Sequence, residues 1–144
     1  MKKLLIPILT LFIAVYIGWS LLNRPNDSVG FTDQNNTALS IAFDERKSGF
    51  QTEGNGIVIR ILPDDNDGSR HQRFILKLES GQTLLISHNI DLAPRLSNLK
   101  KGDAVAFNGV YEWNSKGGVI HWTHHDPNGR HIPGWLKYNG KTYQ

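Results

Sequence analysis

The 144-residue chain has no cysteine. That excludes disulfides and thiolate zinc sites, so any metal would need histidine or carboxylate ligands. A dominant charge is missing too. There are 16 lysines and arginines against 13 acidic residues, a formal +3. Lys2 and Lys3 account for two of those charges. The remainder is nearly neutral and gives little support for nucleic-acid binding, despite a basic pI. No internal repeat, nucleophile elbow, phosphate loop or paired-carboxylate signature is present.

What is present begins with a membrane-directed segment. Lys2-Lys3 precedes Leu4 to Leu22, 19 uncharged residues that end at Asn23-Arg24. As a helix this stretch spans roughly 28 Å, about one hydrocarbon core. The paired lysines place the N-terminus in the cytoplasm and the following chain across the membrane. Trp19 falls where an interfacial aromatic would sit. A cleaved signal peptide is the competing reading, with Gly18-Trp19-Ser20 near the cleavage offsets. Residues 1–22 are thus expected to be an anchor or signal segment.

Residues 23–36 are polar and aperiodic and read as a linker. Residues 37–144 read as one small domain. It opens with a short helix capped by Asn36 or Thr37 and stopped by Gly49. From Gly54 the pattern has period two, with Ile57, Ile59 and Ile61 on one side. Phe74, Leu76 and Leu78 repeat it, and Ser80-Gly81-Gln82 turns into Thr83–His88. Lys101-Gly102-Asp103 leads into Ala104–Tyr111, and Asn114–Gly118 leads into Val119–Trp122. Five strands with a non-strand excursion after the third predict a small five-stranded antiparallel barrel, OB-like. Leu99 to Gly109 resembles the entry to the fourth strand of such barrels. A β-sandwich or SH3-like barrel is the alternative. Trp135–Tyr138, Asn139-Gly140 and Lys141–Tyr143 predict a terminal hairpin with a type I′ turn.

His88-Asn89-Ile90-Asp91-Leu92-Ala93-Pro94-Arg95, Tyr111-Glu112-Trp113-Asn114 and the run through Asp126-Pro127 resemble a family of small bacterial secreted or membrane-anchored proteins. That family is catalogued only as a domain of unknown function. The resemblance covers roughly Gly54 to the C-terminus. It implies a bacterial exported protein, at the inner membrane with its domain periplasmic or else secreted after cleavage. It carries no activity, so no catalytic residue transfers from it.

Four of the six histidines lie between His121 and His131. Imidazole titrates near neutrality and is the commonest metal ligand. On a strand running to His125, His121, Thr123 and His125 would face one way and Trp122 and His124 the other. His121 and His125 would then stand roughly 13 Å apart, too far to share an ion. A helix would gather His121, His124 and His125, but the Gly-Gly-Val-Ile lead-in argues for strand. Asp126-Pro127-Asn128-Gly129 has type I turn chemistry and can fold His131 back toward His124 or His125. His125, Asp126 and His131, joined by His88 or His71, form a candidate site for zinc or another divalent ion. The plainer alternative is that these imidazoles cap turns around a core Trp122.

Asp64-Asp65-Asn66-Asp67-Gly68 resembles a calcium loop only superficially. An EF-hand needs ligands where Pro63 and Phe74 stand, so a turn is expected. Arg70, His71, His88 and Arg95 flank strand ends and can share one rim with His121, His124 and Arg130. The arginines could clamp a phosphate, and Tyr111, Trp113, Trp122 and Trp135 could stack on bases or sugars. Arg95 could equally pair with Asp91 or Asp103.

The expected function is a membrane-tethered extracytoplasmic binding module with a His/Arg/Trp-rich site. Its expected ligand is a phosphate-bearing molecule or a sugar, with nucleic acid weakly supported. The alternative is a metal-dependent phosphodiesterase or nuclease in which His121 or His125 works with Glu112 or Asp126. A structural partner of an envelope protein complex is the third reading.

Overall fold

The computed structural model describes residues 27–144, and side chains from residue 34 onward. The expected segment 1–22 lies outside the described residues. Among the described residues no helix is long and apolar enough to cross a membrane. The chain separates into two compact units, Met1–Gly30 and Phe31–Gln144. Of the first, only the opening of helix α1 (Asp27–Asp44) is described. The second carries the rest of that helix and all seven strands.

Helix α1 begins nine or ten residues before the expected cap at Asn36 or Thr37, within the stretch read as linker, so residues 27–36 are helical. It ends earlier than Gly49. Arg46 takes a left-handed φ of 55°, and the Lys47 N–H donates to the Ala42 carbonyl. Such a residue ends a helix by satisfying its last carbonyls. Leu39 and Ala42 are buried in the core. Trp113 fixes the helix end, its Nε1–H donating to the Phe43 carbonyl at 3.0 Å.

The strands are β1 (Phe50–Asp65), β2 (His71–Lys77), β3 (Thr83–Asn89), β4 (Ala104–Glu112), β5 (Val119–His121), β6 (Trp135–Tyr138) and β7 (Lys141–Tyr143). The sheet order is β1-β2-β3-β5-β4-β6-β7, and β1 also pairs with β4. The first five strands therefore close into a ring. Its pairs are antiparallel except β3–β5, which runs parallel. This corrects the wholly antiparallel expectation. The physical reason is that the excursion after β3 and the β4–β5 hairpin return the chain beside β3 in its own direction.

One long strand serves two neighbours. The first half of β1 pairs with β4, from Phe50 opposite Tyr111 to Ile57 opposite Ala104. The second half pairs with β2 across an irregularity between Val58 and Arg60. A bulge bends a strand and raises its twist, which lets β1 pass from one partner to the other.

In β2 to β5 alternation fills the ring as the sequence predicts, but in β1 the Ile57-Ile59-Ile61 side faces outward and Val58 is the buried residue. Phe74, Leu76, Leu84, Ile86, Val105, Phe107, Tyr111 and Ile120 are fully or almost fully buried. Gly109 is needed for closure, because a Cβ there would lie 2.4 Å from the His121 carbonyl oxygen. The expected terminal hairpin is present as β6–β7. Asn139 and Gly140 both have positive φ, 49° and 73°. That is the type I′ signature.

Candidate functional site

Strand β5 ends at His121, and Trp122 follows with a φ of 53°. A left-handed residue with a side chain costs about 1–2 kcal/mol and breaks the two-face alternation. The expected strand through His125 is corrected accordingly. Thr123 and His124 are both buried, and His125 is exposed. Gly134 supports this reversal. Its N–H donates to the His124 carbonyl, and a Cβ at residue 134 would sit 2.0 Å from the Trp122 carbonyl oxygen.

The reversal assembles a cleft of about 210 Å³ lined by Ser69, His71, Ser87, Asn89, Leu92, His121, Trp122 and His124. Its floor comes from the outward positions of β2 and β3, and its far wall from β5 and the turn after it.

Each imidazole is held differently. The His71 Nδ1–H donates to the Ser69 carbonyl at 2.8 Å. The His124 Nδ1–H donates to the His125 carbonyl at 2.7 Å. A carbonyl only accepts, so these bonds fix the tautomer and leave each Nε2 with a lone pair when the ring is neutral. Neither Nε2 has a partner among the described residues, and neither is sealed from solvent. His121 behaves otherwise. Its Nε2 is buried without a hydrogen bond and stands 3.7 Å from Glu112 Oε1, beyond bonding range. Burial pushes its pKa down, partly offset by Glu112.

His88 lies behind the cleft with no exposed surface. Its Nε2–H donates to the Pro94 carbonyl at 3.0 Å, and its Nδ1 accepts from the Thr123 hydroxyl at 2.8 Å. Burial pushes its pKa down to about 4, so it is neutral at ordinary pH. It is a buried strut, aligned by the residue next to His124.

The remaining expected residues are not gathered at the cleft lining. The Asp126 carboxylate accepts the N–H groups of Asn128, Arg130 and His131, at 2.9, 2.6 and 3.0 Å. The Asn128 bond leads in holding its pKa below the usual carboxylate range. The expected turn is therefore present, but the carboxylate that closes it is spent on backbone. His131 does fold back, and it stacks on Trp122 at 3.7 Å between ring centroids. Among the described residues no three His, Asp or Glu side chains are grouped to hold a metal ion, so His125, Asp126 and His131 do not form such a set.

The arginine clamp is likewise dispersed. Arg70 pairs with Asp91, its Nε donating to Oδ1 at 2.7 Å and its backbone N–H to Oδ2 at the same distance. Those two bonds hold the Asp91 pKa low. Arg95 pairs with Asp64, rather than with Asp91 or Asp103. Arg130 is exposed beyond the turn. Trp113 packs under Arg46, and Trp135 lies under Lys137 at 4.2 Å. Tyr111 is in the core.

Ser87 and Asn89 were missed by the sequence reading. They flank His88 at i−1 and i+1, so strand alternation places them on the outward face opposite its imidazole. Ser69, two residues before His71, carried no comparable signal.

A mainly β chain with a five-strand ring and imidazoles drawn to one cleft defines the class. Residues 26–144 match the family described as "Protein of unknown function (DUF3465)", and the chain belongs to that family. No curated protein matches it.

Proposed function

We propose that the ring is an OB-like barrel and that the protein is a membrane-tethered, extracytoplasmic binding module whose cleft takes a sugar residue. The observation that carries this reading is the pair of free acceptors, Nε2 of His71 and Nε2 of His124, in one small cleft. An imidazole lone pair accepts a hydrogen bond from a sugar hydroxyl. Ser87 and Asn89 add further hydrogen-bonding groups. The cleft lining holds no arginine or lysine to meet a phosphate, and Arg70 and Arg95 hold carboxylates. The volume is below the roughly 300 Å³ of pockets for drug-sized ligands, which fits one residue of a longer chain. The cleft also occupies the face of the second and third strands and the loop between the first two, where OB barrels bind oligosaccharides and oligonucleotides. That support is fold-level analogy.

The test is calorimetric titration of the full-length protein with neutral oligosaccharides of glucan, galactan and chitin type. His71→Ala and His124→Ala are each expected to weaken binding at least tenfold, with His125→Ala unchanged. No binding across the panel would sink the reading. So would a stoichiometric bound metal that His71→Ala releases.

A further inference from the structure

A second cavity, about 720 Å³, opens on the outer face of the sheet where β1 passes from β4 to β2. It shares no lining residue with the histidine cleft. The strand register lays out its structure. Lys77 is opposite Ile57, which is opposite Ala104; Asn55 is opposite Ala106, which is opposite Lys137. A lysine thus bounds each side of an apolar trough four strands wide. Ile57 is 46% exposed within it. Neither Lys77 nor Lys137 has a carboxylate partner among the described residues. Lys137 rests instead over the Trp135 ring. Glu79 is the one acidic residue in the lining.

We infer that this trough binds a single fatty-acyl chain carrying a carboxylate. Charge complementarity sets the sign: two unpaired lysines against one glutamate select an anion. The floor sets the rest. At Ile57, strand β1 is paired on both sides, with β2 and with β4. The sheet offers no free edge there, so a peptide would find no backbone partner, whereas an acyl chain needs none. Ala104 and Ala106 keep the floor low between Ile57 and Lys137. The three strand steps from β2 to β6 span about 14 Å at about 4.8 Å each, comparable to a chain of a dozen carbons. Burying such a chain against Ile57, Ile59 and the alanines supplies the apolar driving force, and the carboxylate meets one lysine ammonium.

The experiment uses the full-length protein in neutral phosphatidylcholine nanodiscs with a diazirine-bearing dodecanoic acid as photoprobe. Crosslinks are mapped by mass spectrometry. Labelling is expected within residues 55–59 and 104–106. It should fall at least tenfold in Ala106→Trp, which fills the trough, and in the Lys77→Glu/Lys137→Glu double variant, which leaves the floor intact. Circular dichroism confirms that both variants fold, and the double variant suffices if the tryptophan does not. Equal labelling by the corresponding diazirine alcohol would overturn the requirement for an anion. Labelling elsewhere, or undiminished in the double variant, would overturn the site. Labelling of the trough by a diazirine phosphatidylglycerol in the bilayer but not by the free acid would replace it with membrane-surface docking.

Discussion

The five-strand ring and the segment from Trp122 to Gly134 are held by different physics. In the ring, each side chain's role follows from its parity along a strand: Phe74, Leu76, Ile86, Val105 and Phe107 point in because their neighbours point out. In the segment, position is set by single contacts between side chain and backbone. The Asp126 carboxylate gathers three N–H groups, Trp122 adopts a left-handed φ, and Gly134 fits where a Cβ would clash. The ring is redundant and tolerant of small errors. The segment has no redundancy, and it carries two of the cleft residues, Trp122 and His124.

The sharpest test of that contrast is Phe107→Ala. It removes a fully buried aromatic side chain from the core of the five-strand ring and should cost about 3–5 kcal/mol in chemical denaturation. A loss under 1 kcal/mol would mean the ring does not carry the stability. Next comes pH. His88 has a folded pKa of about 4 against an unfolded value near 6.5. Between those values the unfolded chain takes up a proton that the native imidazole refuses. Stability should therefore be level above about pH 7 and fall by about 3 kcal/mol as pH drops toward 4. His88→Gln should be less stable at pH 7 and show a shallower acid decline; an equally steep decline would place the proton elsewhere.

A smaller effect is expected from Thr123→Val, which joins the two regions. It leaves His88 Nδ1 without its 2.8 Å donor in a buried site and should cost about 1–3 kcal/mol. The smallest global effect belongs to Asp126→Ala. Its consequence should be local: faster amide hydrogen exchange at Asn128, Arg130 and His131, with the denaturation midpoint nearly unchanged. Unchanged exchange at these amides would show that the carboxylate is not what holds the turn.

How much was legible in the sequence follows the same division. Most strand positions, the three hairpin turns and the Asp126 turn could be read, because period two and turn chemistry are local signals. The reach of β1 back to Phe50 was not, since Thr52, Glu53 and Gly54 carry no apolar alternation and pair because β4 is beside them. The early start of α1 was hidden by polar composition. For the site, the sequence singled out the histidine run but not which of its members line a common cleft. His71, His121 and His124 line one cleft, whereas His125, Asp126 and His131 are not among its lining residues, and the left-handed residue at Trp122 breaks the strand alternation between the two groups. No propensity marks a tryptophan for that conformation, which only a residue without a Cβ at position 134 leaves room for.

Ring closure has a further consequence, for the order of assembly. The β2–β3 hairpin is local in sequence and can form soon after its turn is made, on the microsecond scale of hairpins. The β1–β4 pairing sets Phe50 beside Tyr111, and β3–β5 sets Leu85 beside Val119, so both wait for distant chain and for the loop entropy they must overcome. The cleft straddles that divide. His71, Ser87 and Asn89 stand on the early hairpin, while His121 and His124 arrive only with the last strand of the ring. A partly folded chain therefore presents only half of the cleft lining, and the cleft is complete only once the ring has closed.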